Sequence, residues 1–573
     1  MLRKEHFQKL ADIVGEEFFS TEEYMTQLYS HDISALPGIV NDIINPHAEA
    51  VAQPTTTEIT SHLLKYCKEN NIQVIPRGHG TSGYGGALPT KGGLVLDMTR
   101  MNQIYDIDKG SMTIEVGAGI IWGRLLEYLE DEGLSVATYP SSAPSCTVGG
   151  WVAAGGCGIG STKFGGIREQ VVEMEVVLPD GEIISTIEQI DEVFKDRSPP
   201  PFFKGDDNFY YQAEESKPSD TESTTLFIDS NGALGVITKV TLRVIGLNEI
   251  KPMTLSFPNK EQTIGAMQAI LRYTRPFYMH FKTDQFFGML KELGQAPDTK
   301  NEWLVLCALE GTDEENETDA ARIAEIISMY HGTVEADEIG HHEWDERFYP
   351  MRVKRLGPSV APSEVYVPLA KMVEFIDHCN KHFKGEKMAM EGAVNHQNEV
   401  AVLTWFLDDE RRRIPFMFGW YRSLDVINLG LKHGGRAYSI GMWNVMHSRT
   451  FYGKENLTRM AKLKRRTDPK SYLNSHKVFP GPLNLSTRMG LLVMFAAALA
   501  VPIAIMVAWW LVPSLIGGFV PWVVVNDPAT FILWAIVGVI IGGVAQEFMN
   551  IIPISVMLSI GTPFLRLGRK IFH

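Results

Sequence analysis

Between Val74 and Asn102 the chain reads VIPRGHGTSGYGGALPTKGGLVLDMTRMN, with glycines crowded around and after Arg77. Glycine lets the backbone take positive φ, so that successive N–H groups can converge. A nest of converging N–H groups holds an anion, and a pyrophosphate suits one of this length. The run is not the dinucleotide fingerprint, because the strand-like GGLVLDM follows it where that motif opens a helix. It is not a Walker loop either, since no Gly-Lys-Ser/Thr closes it.

A second segment, YPSSAPSCTVGGWVAAGGCGIGSTKFGG from Tyr139 to Gly166, packs small residues, serines and threonines, with no charge before Lys163. Such a wall can lie close against a flat ring system and its phosphates. The elements that must position both segments are legible around them. TTTEITSHLLKYCKENNI is an amphipathic helix, QVIP and GLVLDM are strands, and SMTIEVGAG alternates as a strand does. IIWGRLLEYLEDEGL is a helix ending at Gly133, and EMEVVLPDGEIIS is a hairpin through Pro-Asp-Gly. Residues 187–225 form a polar surface excursion, after which TLFIDSNGALGVITKVTLRV restores strands.

Taken in order, these segments resemble the FAD-binding domain of the vanillyl-alcohol oxidase / p-cresol methylhydroxylase superfamily. They look most like its D-lactate dehydrogenase and glycolate oxidase FAD-subunit branch. The family's PRGxGTS, TVGGxxAxxGxGxxSxxYG, VVLxDG and GxLGIIT all have counterparts here. DPKSYLNSHKVFPG at 468–481 resembles its closing DPxxxxNPGKVF. The resemblance spans roughly residues 30–481. It implies an α+β architecture: a two-subdomain PCMH-type FAD-binding domain over 51–247 and an α/β substrate (cap) domain over 248–406. A helical lead-in, 1–50, precedes them, and a segment over 407–483 closes on the flavin domain.

Carried over residue by residue, the resemblance assigns Pro76, Arg77, Gly78, His79, Gly80, Thr81 and Ser82 to the pyrophosphate loop. Ser141, Thr147, Gly149, Gly150, Gly158, Gly160 and Ser161 fall in the second flavin segment, and Gly235 and Ile237 in the third. His79 stands where many relatives have glycine. A flavin-linking histidine would align better with Thr81, so the implied FAD is non-covalent.

The sequence departs from the branch at its catalytic groups. In place of GHxGDGNxH stands EGAVNHQNEV, which puts Ala393 and Val400 where the metal-ligand histidines fall and leaves His396 as the imidazole nearby. In place of GEHGIG stands RAYSIG, with Tyr438 at the histidine position. No metal site is therefore expected. Oxidising an alcohol on a flavin moves a hydride to the ring and needs a base for the hydroxyl proton. Tyr438 is a candidate if a nearby cation lowers its pKa, and His396 is another. A carboxylate substrate calls for an arginine, and Arg352 in RFYPMRVKRLG stands where the branch often has one.

The last ninety residues differ in kind. Apolar residues dominate 489–525 without a charge, and again 530–550, each long enough for a helix of about 20 residues to cross a bilayer. The reading is a transmembrane helical hairpin within 489–560, followed by a basic tail, 561–573. Arg488 before it and Arg566, Arg569 and Lys570 after it place both termini and the catalytic domain on the cytoplasmic side of a cell inner membrane. A net charge of -15 argues against nucleic acid as a partner. The five scattered cysteines lack CxxC spacing and suit a reducing compartment.

Two functions fit. One is a membrane-bound FAD-dependent dehydrogenase that oxidises a hydroxy acid or other alcohol and passes electrons to quinone or a membrane electron-transfer protein. The other is an FAD-dependent enzyme acting on a lipid-linked or alkyl-lipid substrate brought to it by the bilayer.

Overall fold

The protein is described from a computed structural model, over residues 2–34, 36–187 and 224–479. The proposed membrane hairpin and most of the polar excursion lie outside these residues. Among the described residues no helix is long and apolar enough to cross a membrane.

The first sheet has four strands in the order Phe19–Ser20, Ala50–Ala52, Leu94–Asp97, Val74–Arg77. Its last three strands are parallel, and parallel neighbours need a crossover between them. The helix Thr57–Glu69 supplies one, capped by Thr56, whose hydroxyl accepts from Ile59 N–H at 3.2 Å. The glycine loop supplies the other connection, from Val74–Arg77 to Leu94–Asp97. That loop is therefore a strand-to-strand crossing at the carboxyl ends of parallel strands, a place where α/β sheets bind ligands.

The second sheet is antiparallel and centred on the long strand Val236–Gly246, flanked by Thr113–Gly117 and Val171–Val177. The Pro-Asp-Gly hairpin forms, with Val177 opposite Ile183. A cluster containing Trp122, Leu125, Leu129, Val148, Val152 and Phe227 fills the space between this sheet and its helices.

The remaining strands form one eight-stranded sheet in the order Thr333–Val334, Glu249–Phe257, Trp303–Gly311, Tyr278–Lys282, Met388–Val394, Glu399–Asp408, Ser359–Pro368, Arg436–Ala437. Every pairing in it is antiparallel. Helix–strand alternation reads as α/β, and here it gives a different sheet for a definite reason. The crossover through the helix Lys260–Tyr273 leaves a one-strand gap between Glu249–Phe257 and Tyr278–Lys282. Trp303–Gly311 fills that gap in the opposite direction.

The segment after 407 also divides differently from expectation. The helix Tyr421–Lys432 packs on the cap strand Ser359–Pro368, and Arg436–Ala437 adds the sheet's edge. From Ser439 onward the chain returns to the flavin side. Its Ser439 hydroxyl donates to Ala154 O at 3.0 Å. Asn474 donates to Gly86 O and Asn231 O at 3.0 and 2.6 Å, and Lys477 to Leu88 O at 3.0 Å. The physical reason is side-chain type: Val426 carries an apolar face into the cap core, whereas 468–477 carries the polar groups that hold the glycine loop.

Candidate active site

A cavity of about 340 Å³ opens between the two smaller sheets and the cap. Pro76 through Ser82 line it, with Ser141, Thr147, Gly149, Gly150, Gly235 and Ile237 from the other two segments. Parts of its wall leave no space for side chains. A Cβ on Gly78 would lie 2.1 Å from Thr147 Oγ1, and one on Gly149 would lie 2.5 Å from the Ala118 Cβ. Thr147 is fixed as the cap of the helix Val148–Ala154, accepting from Gly150 N–H at 3.2 Å. Among the described residues, the N–H groups from Gly78 to Ser82 donate to no protein acceptor. Free donors, a helix start and a glycine wall are what a flavin pyrophosphate and ring need, so the residues present fit FAD.

Arg77 points away from the phosphate position. Its Nη1 donates to His31 O at 2.6 Å, and its guanidinium lies 5.3 Å from the Tyr29 ring centroid. The arginine braces the loop from behind, and a Cβ on Gly80, at φ 66°, would strike it at 2.5 Å. The His79 Nδ1 lies 2.6 Å from Ser145 O. Three residues of the second segment serve elsewhere. Gly158 lines the adjoining cavity. Gly160, at φ 93°, abuts Ala137 O, and Ser161 Oγ accepts from Gly158 N–H at 2.6 Å. Gly160 and Ser161 shape the turn and do not line the flavin cavity.

The adjoining cavity, about 90 Å³, shares Ser141, Glu364, Leu403 and Tyr438 with the first. Its other wall is the cap sheet. Glu364 lies opposite Leu403, Leu403 opposite Glu391, and Glu391 opposite Lys282, a row running across four neighbouring strands. Neighbouring strands are about 4.8 Å apart, so the two glutamates stand roughly 10 Å apart at the backbone with Leu403 between them.

Burial pushes the Glu364 carboxyl up to about 7, with Glu391 adding to the rise and the Tyr84 hydrogen bond opposing it. Tyr84, in the glycine loop, donates to Glu364 Oε2 at 2.8 Å. Burial likewise lifts Glu391 to about 7, against Lys282 and a 2.8 Å hydrogen bond from the Trp405 indole. His280 Nε2 is 3.5 Å from Glu391. Burial, and then Lys282, push that imidazole down to about 3. Glu364, His280 and Lys282 carry no motif, and Glu391 opens the EGAVNHQNEV stretch at a position the motif does not mark. Their only mark in the sequence is a charged or polar residue inside an otherwise apolar strand.

Of the three catalytic candidates, Tyr438 alone reaches the flavin cavity. Its hydroxyl donates to Cys157 O at 3.0 Å, and its ring stacks on Tyr366 at 5.2 Å. Burial, then Glu364 and Cys157, raise it well above the ordinary tyrosine range. The lowered pKa that a base would need is absent, because among the described residues no cation touches the hydroxyl and an acid faces it. His396 lines a separate polar cavity behind Tyr438.

Arg352 lines the adjoining cavity but is neutralised. Its Nη1 is 2.6 Å from Glu346 and its Nη2 is 3.6 Å from Glu343. Burial works to raise Glu343, and Lys282 and Arg352 outweigh it, leaving that carboxyl below its ordinary range. Arg347, in the short helical turn Glu346–Phe348 that precedes it, is the better placed cation. It lines the same cavity, lies between the rings of Trp344 and Phe348 at 4.1 and 4.2 Å, and donates to Trp344 O at 2.7 Å. Its Nε is buried without a hydrogen-bond partner among the described residues.

Two sequence-family models match the chain: an FAD binding domain over 48–187 and the C-terminal domain of FAD linked oxidases over 248–478. With the fitted cavity they define an FAD-dependent oxidoreductase. Among curated relatives, the glycolate oxidase subunit GlcD of Bacillus subtilis is 25% identical over 495 residues, 84% of this chain and 97% of its own. The alkyldihydroxyacetonephosphate synthase of Trypanosoma brucei brucei is 22% identical over 532 residues, 84% of this chain and 82% of its own. A crystal structure of p-cresol methylhydroxylase with substrate bound superposes with a TM-score of 0.65 at 16% identity, covering 83% of this chain and 95% of that one. The fold is thus PCMH-type.

Proposed function

We propose that this protein is a dehydrogenase that oxidises a small hydroxy acid or related alcohol and passes the electrons to a quinone or a membrane electron-transfer partner. The observation that carries this reading is the second cavity. It adjoins the flavin cavity across Glu364, Leu403 and Tyr438, and it is lined by Arg347, which has no ion pair among the described residues. A guanidinium in that state favours a carboxylate on the substrate, and the GlcD relative acts on glycolate by its name. When bound, FAD accepts the hydride of the substrate C–H bond. The chain's own residues hold the cofactor's phosphates on the loop N–H groups, exclude water with the glycine wall and orient the anion. The FAD is held without a covalent link, since the position where a linking histidine would align is Thr81.

The apolar stretches at 489–512 and 530–550 support an anchor in a cell inner membrane, with the catalytic domain cytoplasmic and membrane lipid as a contact. A second reading, action on an alkyl-lipid or lipid-linked substrate, is supported by Ala393 and Val400 in place of imidazoles and by the synthase relative. Anaerobic bleaching of the flavin by a panel of 2-hydroxy acids and lipid alcohols separates the two. Bleaching by hydroxy acids alone supports the first, and bleaching by lipid alcohols alone sinks it.

A further inference from the structure

Tyr438 is committed as a donor and His396 lies off the flavin cavity, which leaves the substrate's hydroxyl proton without an acceptor among the expected residues. We propose that Glu364 is the general base of this enzyme. The inference rests on the reading of the protein as a hydroxy-acid or alcohol dehydrogenase.

Glu364 sits on the cap strand Ser359–Pro368 and lines both the flavin cavity and the adjoining one. A substrate lying over Leu403 therefore has the flavin position on one side and this carboxyl beside it. Tyr84 donates to one oxygen, Oε2, and among the described residues no protein donor reaches the other. Tyr84 belongs to the glycine loop, so the same loop that holds the cofactor aims the carboxylate.

Glu391, the other carboxyl in the row, is less suited. Its two oxygens face the Trp405 indole and the His280 ring, and it lines the adjoining cavity without reaching the flavin one. Tyr84 and Tyr438 face Glu364 from the flavin side, and Glu391, His280 and Lys282 from the cap sheet. Glu343, Glu346, Arg347 and Arg352 face it across the cavity. Their formal charges largely offset one another, so burial decides the balance and places the carboxyl near neutrality, where a base is most effective.

The step balances as follows. The carbinol C–H bond breaks and its electron pair leaves as hydride, reducing FAD. The O–H bond breaks and its proton passes to the Glu364 carboxylate. The C–O bond becomes C=O, and Glu364 later releases the proton to solvent.

The test uses full-length, FAD-loaded enzyme mixed anaerobically with glycolate, D-lactate and D-2-hydroxybutyrate. Whichever reduces wild-type flavin fastest becomes the probe. Glu364→Gln is expected to slow flavin bleaching on the order of 100- to 10,000-fold. FAD content should stay full, and oxalate should still perturb the bound-flavin spectrum with a Kd within about threefold of wild type. The carboxylate is the working form, so the wild-type rate should fall as pH drops through about 7, and this limb should vanish in Glu364→Gln.

Tyr84→Phe removes the hydrogen bond that favours the carboxylate, so it should move the limb to higher pH. This second variant decides the matter if Glu364→Gln fails to hold flavin. A loss below about threefold in Glu364→Gln, or a limb that Tyr84→Phe leaves in place, overturns the base role and spares the hydroxy-acid reading. Wild-type flavin that no hydroxy acid bleaches overturns that reading and the role with it.

Discussion

The two adjoining cavities are built on opposite plans. The flavin cavity is made of backbone: glycines, a helix cap and free N–H groups, with its one arginine turned away to brace the loop. The adjoining cavity is made of side chains, most of them on an antiparallel sheet. There, paired charges surround two carboxyls that burial holds near neutrality. A cofactor common to many enzymes can be held by backbone, which has few alternatives. A substrate is told apart by side chains, and these change while the strands beneath them stay.

This contrast breaks if backbone space does not govern flavin binding. Gly78→Val drives a branched side chain into Thr147, and purified protein should lose its flavin absorbance almost entirely while keeping its far-ultraviolet dichroism. Next in size, Arg352→Met leaves Glu346 without its partner and weakens the hold on buried Glu343. It should cost about 3 kcal/mol of stability in denaturant unfolding.

The neighbouring Arg347→Met should act on the substrate instead. Losing one charge-assisted contact of roughly 1.5–3 kcal/mol should raise KM for a hydroxy acid about 10- to 100-fold, with a smaller loss of stability than Arg352→Met. If the two arginines exchanged these effects, the assignment of structural and substrate-facing cations would be reversed. The smallest effect belongs to Tyr438→Phe. The hydroxyl is a donor to Cys157 O and lies far from the phenolate form, so flavin bleaching should change by less than about threefold, against a general-base loss of 100-fold or more.

Reading the sequence located the flavin side well, because its signals are local. Glycines, a capping threonine and a Pro-Asp-Gly turn act within a few residues of themselves, so a linear pattern records them. The glycine loop and the hairpin at 178–183 formed where the pattern put them, and the small-residue wall turned out to contain the helix after Thr147. The same reading drew Gly160 and Ser161 into the cofactor site, since a glycine that shapes a turn and one that faces a ligand look alike in sequence.

The cap side was not legible in this way. Glu364, Leu403, Glu391 and Lys282 come from four strands spread over more than a hundred residues, and only sheet register sets them in a row. Tyr438 lines the cavity, but the cation that its candidacy as a base required is not beside its hydroxyl, because the sequence does not show which charge faces a hydroxyl.

By itself, then, the sequence determined that an anion-holding glycine loop lies between two strands, and that a small-residue wall accompanies it. These follow from backbone freedom and residue size. The tertiary structure alone decided which acids and bases meet over the cofactor, because burial and the neighbour across a strand set a side chain's proton affinity.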